Sequence, residues 1–171
     1  MALLHLNNLR ISLRIAIACL LPLIAFTVFA GKALLEKQAA LSDAQRIAEI
    51  AEAAPVISNL VHEMQKERGA SAGFINSKGA AFADTLRNQR PATDKTLAGA
   101  QQRMAELAKA NSGSKLARDL GEAQSKLGSV QATRAGVDGF TISTQQSTEY
   151  YTAAIAQLIA VIDSAATKRL P

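Results

Sequence analysis

Residues 115–138 read KLARDLGEAQSKLGSVQATRAGVD, and their reading decides the fold. Leu116, Leu120, Ala123, Leu127, Val130, position 134 and Val137 recur at alternating steps of four and three. That spacing is a helical seam of the kind that packs in a bundle or coiled coil. One seam position is unusual: residue 134 is an arginine where the pattern asks for an apolar side chain. The seam is expected to break between Gly136 and Gly139.

Working outward, the same periodicity returns on both sides. Downstream, Ser143 and Gln146 have the spacing of a capping box, and a last helix carries Tyr151, Ile155, Leu158, Ile159 and Ile162. Upstream, Asn111–Ser114 reads as a loop with Ser114 as helix N-cap. Before it, a helix starting at Ala92 or Thr93 uses Leu97, Ala100, Met104 and Leu107. A short helix over residues 80–90 carries Phe82 and Leu86 and is expected to stop at Pro91. Ser77-Lys78-Gly79 reads as a turn. The helix over residues 56–76 places Ile57, Leu60, Val61, Met64, Ser71, Phe74 and Ile75 on one stripe, and Pro55 is expected to separate it from a helix ahead. No alternating strand pattern and no Asn-Gly hairpin signal is present. The fold class is therefore all-α: an N-terminal transmembrane helix followed by an up-and-down helical bundle.

The membrane assignment rests on residues 15–31, IAIACLLPLIAFTVFAG, which carry no charge. Their length is at the lower edge of what crosses a bilayer. Arg10 and Arg14 precede the stretch, and the tail before it has no acid, as in an anchor with its N-terminus inside. Pro22 within the span is tolerated better in a membrane than in water. A cleaved signal peptide ending near Val28-Phe29-Ala30 is the alternative. The helical pattern that runs on through Lys32 favours a retained anchor. The expected division is a cytoplasmic tail over 1–14, a transmembrane helix over 15–31, a helical extension over 32–55 and a partial helical bundle domain over 56–171. The expected location is the inner (cytoplasmic) membrane, with a single pass and the C-terminal part in the periplasm or outside.

Composition narrows the chemistry. Alanine is about one residue in five, aromatics are 4%, and tryptophan is absent. One cysteine excludes an intramolecular disulfide and a cysteine-based zinc site, and two histidines leave little for a histidine one. The formal net charge is +5, but much of the excess lies before residue 40. No basic stripe interleaved with aromatics is present, so no nucleic-acid partner is expected. There is no Ser-His-Asp set, no phosphate-cradling glycine loop followed by lysine, and no HExxH. We expect no catalytic residues, no cofactor and no metal; the protein reads as a non-enzyme.

Two arginines stand out. At about 100° per residue, Glu67 falls near the centre of the stripe built on Leu60, Met64 and Ser71, and Arg68 at its edge. Arg134 sits on the seam of a later helix. A buried, unpaired guanidinium is costly. On one reading Glu67 pairs with Arg134 across the bundle and Arg68 snorkels to solvent. On the other, Arg68 and Arg134 form an anion-binding site between helices, their planar forks suited to a carboxylate or a nitrate. Gly69 and Gly73, four apart, let another backbone approach closely, either within the chain or in a dimer.

The stretches HEMQKERGASAGFINSKG and FADTLRNQRPATDKTL resemble the nitrate- and nitrite-sensing (NIT) domain family. The matching residues are Glu63, Gln65, Glu67, Arg68, Gly69, Ser71 and Gly73, then Gln89, Arg90, Thr93 and Asp94. A later stretch supplies Arg134, Val137, Asp138, Ser143 or Ser147, and Tyr151. The resemblance implies an all-helical extracytoplasmic sensor that binds nitrate or nitrite among arginines, in a chemoreceptor or sensor kinase. A homodimer is expected. Family domains are longer than this chain, so the bundle is expected to be incomplete, completed by a missing segment or by another chain. A membrane-anchored helical scaffold without a small ligand is the competing function.

Overall fold

The computed structural model describes residues 11–167. Residues 1–10 of the expected tail and residues 168–171 lie outside the described residues. Five helices follow in order: α1 Ile11–Asn76, α2 Ala83–Ala110, α3 Lys115–Leu127, α4 Val130–Asp138 and α5 Thr144–Thr167. There is no strand among the described residues. The chain divides into two units at Arg46/Ile47.

In the first unit, α1 carries the apolar stretch. Its richest 18-residue window has a mean hydropathy of 2.0, and none of that window is buried. Leu20, Leu21, Leu23, Ile24, Phe26 and Phe29 all stand exposed. A helix that is apolar on every side is at home in lipid. By length and composition this is one helix able to cross a membrane.

The second unit is the bundle, and each of its helices buries a seam with the same alternating step. On α1 the seam positions 53, 57, 60, 64, 67 and 71 are buried, with Ala70 beside them; on α2 the buried positions are 86, 93, 97, 100, 104 and 107. Across α3 and α4 the buried seam is 116, 120, 123, 127, 130, 134 and 137, with Gly136 beside it; on α5 it is 147, 151, 154, 158, 161 and 165, with Ile155 beside it. Leu60, Met104, Leu120 and Leu158 are completely covered. The ends are tied as the sequence indicates. Ser114 Oγ accepts from the Ala117 N–H at 3.2 Å. Ser143 and Gln146 exchange two bonds, 2.8 and 3.1 Å, as a capping box.

Three boundaries differ from expectation. Helix α1 runs through Pro55 and α2 runs through Pro91. A proline removes one helical donor and crowds the preceding turn. Both sit on exposed faces here, and seam residues on either side pack the helix whole. Conversely, the seam of residues 116–137 is broken at Gly128-Ser129 into α3 and α4. Gly128 keeps a right-handed helical backbone, so the seam continues across the break.

Candidate functional site

One layer of the bundle is polar. Glu67 of α1 is fully buried, and Arg134 of α4 is nearly so. Arg134 Nε donates to Glu67 Oε1 at 2.7 Å and its Nη2 donates to Oε2 at 2.9 Å. This is the two-pronged arginine–carboxylate geometry, which adds orientation to charge. Tyr151 of α5 donates its hydroxyl to Glu67 Oε1 at 2.8 Å. Arg90 of α2 completes the layer, with Nε 3.9 Å from the same oxygen. Three helices, α2, α4 and α5, therefore each place one polar side chain around the single buried carboxylate of α1.

Two further acids sit at the rim. Arg134 Nη1 donates to Asp94 Oδ1 at 2.6 Å. Arg90 donates from Nη1 and Nη2 to the two oxygens of Asp138, both at 2.8 Å. Burial works against the charge of Arg134, but the bonds to Glu67 and Asp94 outweigh it and hold the guanidinium above its ordinary pKa. Arg90 is also raised, first by its bond to Asp138. The Tyr151 phenol is pushed up by burial and then by the Glu67 charge. Tyr150 is pushed up to about 12, again chiefly by burial. Beside the layer, Gln89 Nε2 donates to Glu63 Oε2 at 2.6 Å, and bonds from Lys66 and then Gln89 hold the Glu63 carboxyl below its ordinary pKa.

A cleft of about 570 Å³ opens between α2 and α4 above this layer. Phe74, Leu86 and Pro91 line it together with Arg87, Arg90, Asp94, Arg134 and Asp138. Arg90 and Arg134 share the carboxylates of Glu67, Asp94 and Asp138, and Arg87, paired with Asp84, brings a third guanidinium to the cleft wall. No group of His, Cys, Asp or Glu suited to a metal ion is present among the described residues.

Arg68 lies elsewhere. It does not line the cleft. It is half-buried, with Nη1 donating to Thr152 Oγ1 of α5 at 3.1 Å. No ion pair with a carboxylate is formed by Arg68 among the described residues. The two sequence-derived candidates are thus in different electrostatic states: Arg134 has three bonds to two carboxylates, and Arg68 has one bond to a hydroxyl.

The comparisons with known proteins bear on this geometry. The family model described as nitrate and nitrite sensing matches residues 59–171. The chain belongs to the nitrate- and nitrite-sensing family. The solved structure of the NasR transcription antiterminator is similar, with 25% identity, a TM-score of 0.67 and coverage of 77% of this chain. The chain spans 37% of the length of that NasR chain. No curated protein matches the sequence. Six of the residues that carry the family resemblance in the sequence meet in and around the polar layer: Glu67, Arg90, Asp94, Arg134, Asp138 and Tyr151. Sequence reading missed the placement of Arg90. A signal existed, because position 90 continues the four-then-three step from Leu86 to Thr93.

Proposed function

We propose that this chain is the sensory input region of a membrane-anchored bacterial signalling receptor that detects nitrate or nitrite outside the cytoplasm. The observation that carries the reading is the family match over residues 59–171; the apolar stretch of α1 supports the anchor. In this reading residues 1–14 lie in the cytoplasm, residues 15–31 span the inner membrane, and the bundle works outside as part of a homodimer. The protein has no catalytic role and no nucleic-acid partner.

Of the two arginines, Arg68 is the direct anion contact and Arg134 acts by holding the layer beneath it. An anion is drawn to a cation that no acid already neutralises, and Arg68 meets that condition. Thr152 adds a hydroxyl donor beside it. Titration calorimetry of nitrate and nitrite against chloride, on the full chain in lipid nanodiscs, tests the reading. Binding is expected for the wild type. Arg68→Lys, which keeps the charge and loses the planar fork, is expected to weaken it.

The satisfied state of Arg134 favours one other reading, a membrane-anchored scaffold whose polar layer fixes helix register. Absence of any nitrate or nitrite heat, with the bundle folded, would select it.

A further inference from the structure

Arg90 and Asp94 lie four apart on α2, and Arg134 and Asp138 lie four apart on α4. Each arginine reaches the aspartate of the opposite helix. The result is a crossed, self-complementary pair of charge bridges spanning the cleft. We propose that this pair is a latch, and that α4 opens from α2 as a unit while the rest of the bundle stays closed.

Three observations support a unit of this size. First, α4 has nine residues, too few to hold helical structure without tertiary contacts. Ser129 at its start makes no side-chain cap bond. Second, the polar layer divides the apolar core. The main cluster reaches Val130, whereas beyond the layer a smaller cluster of Ala70, Leu86 and Val137 is buried, with Phe74, Ile75 and Ile142 packed half-buried against it. The far end of α4 therefore rests on the smaller and more open of the two clusters. Third, Asp138 is the last residue of α4, where the helix dipole disfavours an anion. Its position is unfavourable for the helix alone and is compensated by the Arg90 fork. Asp94 and Asp138 are about half exposed, so solvent and salt reach the latch. Opening draws Arg134 away from Glu67 and gives water a path to the layer, the sort of bistable element on which a sensor can act.

The test is amide hydrogen exchange read by mass spectrometry on the full chain in nanodiscs. The Asp94→Asn plus Asp138→Asn variant removes the latch and leaves the buried Glu67–Arg134 bond in place. Its α4 amides are expected to exchange roughly ten-fold to a hundred-fold faster, the loss of charged hydrogen bonds, with α3 amides unchanged. In the wild type, raising salt to about 1 M, where charges are screened within about 3 Å, is expected to speed α4 selectively. That salt response should vanish in the variant. Equal acceleration of α3 and α4, or an α4 that ignores both salt and the substitutions, would overturn the latch.

Discussion

The two sides of the polar layer are built differently. On one side, Ile57, Leu60, Met104, Leu120 and Leu158 interlock as an apolar seam. On the other, small apolar cover is supplemented by arginine–aspartate bridges and by the stacked rings of Phe74 and Phe140, 5.2 Å apart. The first side resists deformation because any change of volume is felt. The second depends on charges whose partners sit partly in solvent. A bundle with one rigid end and one charge-held end has a place to respond without losing its fold.

The largest expected effect lies at the boundary between them. Arg134→Ala or Glu67→Ala leaves a buried charge without its partner and should cost about 3–5 kcal/mol, measured by denaturant unfolding in a membrane mimetic. The two single costs should not add in the double variant, because each already breaks the same bond. Simple additivity would mean the layer is not one unit. Within the apolar side, Leu120→Ala or Leu127→Ala should cost about 2–5 kcal/mol. Lys126→Ala should stay within about 0.5 kcal/mol. Similar effects at Leu127 and Lys126 would break the assignment of the seam.

Glycines sharpen the comparison on a smaller scale. A Cβ at Gly69 meets open space, whereas one at Gly73 falls 2.6 Å from the Phe82 ring. Gly69→Ala should stabilise α1 by about 0.5–1 kcal/mol. Gly73→Ala should gain less or lose stability, since Phe82 already adopts a left-handed backbone, φ 68°, and its ring must move. Equal gains at both sites would show that the ring gives way freely.

The last effect is a pH dependence that shows only in alkali. Tyr150 has its pKa raised in the folded state to about 12. A phenol raised on folding favours the protonated native form. Its contribution is complete below the unfolded pKa of about 10 and is lost as pH rises toward about 12. Stability should therefore fall over that interval, and Tyr150→Phe should flatten the fall.

Much of this was legible beforehand, for physical reasons. A 4-3 spacing reports which face of a helix is covered, so the spacing alone places Arg134 and Glu67 inside. Their pairing was one of two open readings, because periodicity fixes a face and not the neighbour across the core. Arg90 is hidden from the pattern because a proline ordinarily ends a helix, and Pro91 stands beside it. Carrying α2 through that proline puts Arg90 on the seam between Leu86 and Thr93. The break at Gly128-Ser129 was also missed, since the seam runs on across it without a change of step.

Nitrate binding and stability measured together on the Arg68→Ala and Arg134→Ala variants test the account most directly. The full chain, and any longer receptor that contains it, are the proteins to use. The account predicts that Arg68→Ala loses nitrate and nitrite affinity while keeping wild-type unfolding, and that Arg134→Ala loses stability first. Wild-type affinity in Arg68→Ala, or an Arg134→Ala protein as stable as wild type, would contradict it.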